Sequence, residues 1–169
     1  AANPGGEIRG QILVDAGTGF RAFLTGKQEN PPLINGATGT GSFTLTRGGL
    51  RYSISADNLS GAITGAHFHI GYAGQNGPVM YAITPTVSGT NITGYWTSTT
   101  LVDSLIVALM TGRIYVNIHT AANPGGEIRG QLYPSEGTGF TAQISGQQEV
   151  PPAAGTGKGT AVGTLTDGG

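Results

Sequence analysis

The sequence predicts an all-β fold: a Greek-key β-sandwich, immunoglobulin-like or superoxide-dismutase-like, with at most one short helix. Three observations predict it. Glycine supplies 31 of the 169 residues and charged residues only 10%. The helix formers Lys, Glu and Arg are therefore scarce, and long amphipathic helices lack support. Short runs of alternating apolar and polar residues recur between glycine and proline turn signals. The chain also repeats itself at an offset of 120 residues, the size of one sandwich domain and far longer than a solenoid repeat.

The repeat sets the domain boundaries. Residues 1–11 (AANPGGEIRGQ) recur unchanged as residues 121–131, and 28 of the 49 overlapping positions are identical. One complete unit is expected over residues 17–133. Residues 1–14 read as the closing strand of a preceding unit, and 137–169 as the opening strands of a following one. A half-unit exposes unpaired strand edges and an apolar face. Each terminal segment is therefore expected to need a partner, from a neighbouring chain or from further repeats.

Within the unit, residues 20–25 alternate as a strand, and the double proline of 28–32 cannot sit in a central ladder. Residues 41–46 and 50–56 are strands, with a hairpin turn expected at Gly48-Gly49. Residues 63–70 form a strand with Ala66, Phe68 and Ile70 on one side and His67 and His69 on the other. A glycine-rich loop, 71–78, leads to strands at 79–83 and 91–97. Leu101, Leu105, Ala108 and Leu109 recur near helical spacing and predict the one helix, 101–110. Residues 113–119 alternate strongly, 123–126 turn, and 127–133 close the unit.

Several of these segments together resemble the CHRD domain, the module named after chordin. The carriers are the opening F-x-A-x-L-x-G-x-x-E-x-P-P of Phe20 to Pro32, LSGAITGAHFHIG at 59–71, GQNGPV at 74–79, YVNIHT at 115–120 and NPGGEIRGQL at 123–132. The resemblance spans Phe20 to Leu132. It implies an extracellular β-sandwich, often in tandem, with no well-established enzymatic activity. The cysteine-rich growth-factor modules that accompany such domains in animals have no counterpart here, since the chain has no cysteine.

Composition excludes other classes. A formal net charge of −1 and the absence of any Lys/Arg run argue against nucleic-acid binding. No apolar run reaches membrane-spanning length; the longest is 105–110. No nucleophile elbow and no phosphate loop is present. The low-charge, Thr/Gly/Asn-rich composition leans towards a secreted, extracellular or cell-surface protein, and with the family resemblance and no catalytic motif, no enzyme is expected. All three histidines lie in two motifs. His67 and His69, two apart on a strand, share a face about 7 Å apart, and His119 ends a strand that could lie beside them. This set suits one Cu or Zn ion, although no cofactor is required by the fold. The Ala-His-Phe-His-Ile string is similar to the His-x-His strand of Cu/Zn superoxide dismutases. The remaining dismutase ligands are missing, so that activity is not expected. The competing reading is structural, with the histidines bonding strand ends and the 71–78 loop, or pairing with Glu127. Glu127 and Arg129 share a face and are expected to find cross-strand partners. Asn58 and Asn91 head two N-glycosylation sequons.

The sequence thus leads first to a structural repeat protein, a subunit of a fibre or surface assembly joined to itself head-to-tail, or as tandem copies, by strand complementation. The expected donor strand is Glu7, Ile8, Arg9, Gly10, Gln11, Ile12, Leu13 and Val14. A metal-binding module on the three histidines is the alternative, and an adhesion domain using the 71–78 loop a further one.

Overall fold

Alternating residues form strands here because one face packs on a common core, and residues 114–120 and 128–131 are covered on the other face as well. A computed structural model describes residues 6–83, 89–97 and 99–165. Residues 1–5 of the repeated string and 166–169 of the expected following unit lie outside the described residues. In chain order the strands are β1 (Leu13–Thr25), β2 (Thr38–Thr46), β3 (Gly49–Asp57), β4 (Ile63–Ile70), β5 (Val79–Ile83), β6 (Asn91–Thr97), β7 (Ile114–Thr120), β8 (Ile128–Gln131), β9 (Tyr133–Ser145) and β10 (Lys158–Leu165). One helix, α1 (Asp103–Met110), lies between β6 and β7.

Eight of the strands form an antiparallel sheet in the order β5-β4-β7-β8-β1-β2-β3-β6. It folds over at the β8–β1 step, where the pairing is reduced to Thr25 opposite Arg129. The two halves then face one another. Phe68 of β4 meets Phe43 of β2 edge-on at 6.0 Å and Tyr52 of β3 at 5.4 Å, and it stacks on Trp96 of β6 at 5.4 Å. Tyr81 of β5 stacks on the same indole at 5.1 Å and donates its hydroxyl to Tyr95 O. These contacts draw the β5 and β6 edges together, so the sandwich is nearly closed. The all-β expectation is met.

Elements differ from expectation in local, explicable ways. The hairpin turn is Arg47-Gly48, one residue earlier than expected, because Thr46 pairs with Gly49. The Thr46 hydroxyl holds that turn, accepting from Gly48 N–H and donating to Gly49 O. Helix α1 starts at Asp103, not Leu101, since Thr97 O already accepts from Thr100 and Leu101 N–H in a separate turn. Its Leu105, Ala108 and Leu109 join the common core. The closing segment splits after Gln131. Leu132 N–H bonds Ile114 O, then the chain crosses so that Tyr133 and Pro134 pair with Arg21 and Phe20 of β1.

β1 extends back to Leu13 because its first residues pair with β9. The outlying strands follow the same rules as the complete unit. β10 pairs with β9 as β2 pairs with β1, with Phe140 opposite Gly163 where Phe20 meets Phe43.

Candidate metal centre

Period-two geometry separates the two faces of β4 and β7. Ala66, Phe68, Val116 and Ile118 are fully buried on the core side. The other face carries polar groups. Register decides which of them meet: His67 lies opposite Asn117, His69 opposite Tyr115, and His119 opposite Gly65. With glycine opposite, the His119 ring leans towards its diagonal neighbour. His67 Nδ1 lies 2.9 Å from His119 Nε2, and the ring centroids are 4.8 Å apart. The His67 and His69 centroids are 5.7 Å apart. One ligand atom from each of the three rings lies within 4.8 Å of the others. The structure therefore brings together the three histidines that the sequence singled out.

Two of the three rings are anchored through Nδ1. His69 Nδ1 contacts Gly77 O at 2.9 Å, and His119 Nδ1 contacts Pro124 O at 3.0 Å. A carbonyl only accepts, so in each case Nδ1 carries the proton and Nε2 presents a lone pair. The Nε2 of His69 is buried and has no hydrogen-bond partner. With His119 Nε2 an acceptor, the proton between it and His67 belongs to His67 Nδ1. Burial holds all three imidazoles below the ordinary histidine range, and the neighbouring rings lower His69 and His119 further. Neutral imidazole is the ligating form.

Around the triad stands a buried polar layer that the sequence did not reveal. Tyr115 lies flat on His69, with centroids 4.8 Å apart and planes 7° apart. The Arg129 guanidinium covers the other side of this stack, 4.3 Å from the Tyr115 ring centroid. Arg129 donates to Asn76 Oδ1 and Gln75 O, and Gln131 donates to Gly71 O and Gly112 O. The 71–78 loop is thus tied down over the sheet. Glu29 accepts from Asn117 Nδ2 at 3.3 Å, and burial pushes its carboxyl up to about 7 against the opposing pull of Arg129. The sequence marks Arg129 for a cross-strand partner; for Tyr115, Asn117 and Gln131 the only signal is the alternation of β7 and β8, which cannot say what lies across the ladder.

Glu127 does not pair with a histidine. Its carboxylate accepts from Ser60 N–H at 2.7 Å and from the Ser60 and Thr120 hydroxyls at 2.6 Å each. Those bonds hold it below the usual carboxylate range despite burial. Arg129 turns instead to Tyr115 and the 71–78 loop. Asn58 is exposed at the end of β3 with a φ of 55°, and Asn91 is exposed at the start of β6.

Neither the curated proteins nor the solved structures yielded a match. A protein-family model described as the CHRD domain matches residues 20–132, two-thirds of the chain and most of the nearly closed sandwich, including its three histidines. On that match, the chain belongs to the CHRD family.

Proposed function

We propose that this CHRD unit is an extracellular metal-binding module that holds one Cu(II) or Zn(II) ion on His67, His69 and His119. The observation that carries the reading is the anchoring of His69 and His119 through Nδ1 to backbone carbonyls. Such second contacts fix the tautomer and aim Nε2, the arrangement seen around metal-ligating histidines generally. A set of imidazoles without thiolate suits Cu(II) and Zn(II), with metal–nitrogen bonds of about 2.0–2.1 Å for zinc. The His67 proton lies between His67 Nδ1 and His119 Nε2; for an ion to be held there it would move to His67 Nε2, leaving His67 neutral with its Nδ1 lone pair free. Binding rather than catalysis is the role assigned.

The test is metal titration of protein prepared without chelators. We expect one equivalent of Cu(II) or Zn(II) per chain, and a loss of affinity of about 100-fold or more in His119→Ala. Absence of saturable binding at micromolar metal would overturn the reading.

A second reading is favoured by a separate observation. Arg9 bridges to Ser145 in the same register, 120 residues displaced, in which Arg129 pairs with Thr25. A closing strand therefore fits an opening strand from a different unit. This supports a structural repeat protein that associates with itself by strand complementation. Sedimentation of the chain over a range of concentrations tests it, and a monomer throughout would end it. Among the described residues, no helix is long and apolar enough to cross a membrane.

A further inference from the structure

The β1–β9 junction is an internal two-fold. Thr18 pairs with Thr138, its own counterpart in the repeat. On one side Leu13 pairs with Thr141 and Val14 with Phe140; on the other Tyr133 pairs with Arg21 and Pro134 with Phe20. Close approaches repeat in the same way. A Cβ at Gly19 would strike Thr164, and one at Gly139 would strike Thr44. A Cβ at Gly130 would collide with Phe23 O, and one at Gly10 with Gln143 O. Gly6 abuts the Glu149 carboxylate as Gly126 abuts Glu29. Residues 6–14 therefore sit on β9 as the closing strand of the complete unit sits on β1, down to individual backbone contacts. Ile12 adds to this seat, lining with Phe140, Ala142 and Leu165 an apolar cleft of about 440 Å³.

We propose that residues 6–14 are an exchangeable strand, and that its partner in trans is β9–β10 of a second copy of this chain. The proposal rests on the strand-complementation reading and names its interface. No covalent link joins 6–14 to β9 except the long path through the complete unit. Another copy presents the same atoms to the strand, which is the condition for swapping an element between protomers. Closure within one chain and exchange between chains use identical contacts. Protein concentration then sets the balance, because closure competes through the effective concentration of the tethered strand. Each copy carries both donor and acceptor, so one-way exchange is head-to-tail and builds linear chains, while reciprocal exchange closes a dimer.

The chain lacks cysteine, which makes disulfide trapping clean. Arg9 and Ser145 exchange both backbone hydrogen bonds, at 3.2 and 2.9 Å, and mark the register. Full chains carrying Arg9→Cys alone and Ser145→Cys alone are mixed and oxidised. We expect a mixed disulfide that rises with concentration, a ladder of multimers from the double variant, and loss of both when Gly10→Val is added. Arg9→Cys mixed with Gly36→Cys, at an open loop site, sets the background. If sedimentation shows association while the double variant gives only an intrachain disulfide at every concentration, the exchange is wrong and self-association proceeds by another surface. If sedimentation shows only monomer, both fall.

Discussion

At the scale of single residues, the polar layer behind the triad is defined by two acceptors without a donor. Glu29 Oε1 and Asn117 Oδ1 are both buried and unpartnered. A neutral Glu29 carboxyl supplies the missing donor, in keeping with its rise to about 7. The sign follows from linkage. The folded state holds this proton up to about pH 7, whereas the unfolded chain releases it near 4.5. The stabilising contribution is full below pH 4.5 and is lost as pH rises through 7. Gln at this position keeps a donor at every pH. The Glu29→Gln variant is therefore expected to gain in thermal midpoint relative to the parent between pH 5 and pH 8. An equal difference at both values would refute the assignment. Glu127 runs the other way: its three short bonds favour the anion, so its contribution is present at neutral pH and lost on acidification.

Among the elements, the decisive one is the step from β8 to β1. Only Thr25 and Arg129 pair there, and Gly130 permits it because its bare Cα meets the Phe23 backbone. Gly130→Val forces the two halves of the sandwich apart. The expected loss is at least the ~1–3 kcal/mol typical of overpacking, read by chemical denaturation. Gly10→Val makes the same collision with β9 but lies outside the complete unit. Its main unfolding transition should stay near that of the parent. Equal damage from both substitutions would contradict the division into a complete unit and an outlying half-unit. The histidine strands belong to the same account. β4 and β7 present the triad on one face only because the other is filled by Phe68, Val116 and Ile118.

For the whole molecule, the histidine triad and the core lie on opposite faces of the β4–β7 ladder. The core contains Phe20, Phe43, Phe68, Trp96 and Ile118, each at 1% exposure or less, and none of them depends on an ion. The metal-free protein is accordingly expected to stay folded. A free metal concentration 100-fold above the dissociation constant should add about 2.7 kcal/mol, reversed by EDTA. A cooperative thermal transition that rises with metal and falls with chelator checks this. Unfolding on chelation alone would mean that the ion is part of the fold.

Much of this protein is legible without coordinates. Side-chain direction in a strand has a period of two, so the residues themselves indicate the strands, their buried faces and the pairing of His67 with His69 on one side. The 120-residue offset is likewise visible in the residues alone. Other features depend on which distant segments become neighbours. The position of His119 beside His67 follows from the β4–β7 register. The stack of Arg129, Tyr115 and His69 requires three strands in a particular order. The seat of residues 6–14 on β9 joins segments more than 120 residues apart. Sequence by itself determined the local periodicities and the repeat, because these are properties of adjacent residues. Tertiary structure alone decided strand order and register, because both are settled by packing one shared core, and the histidine triad and the seat of residues 6–14 on β9 are consequences of that choice.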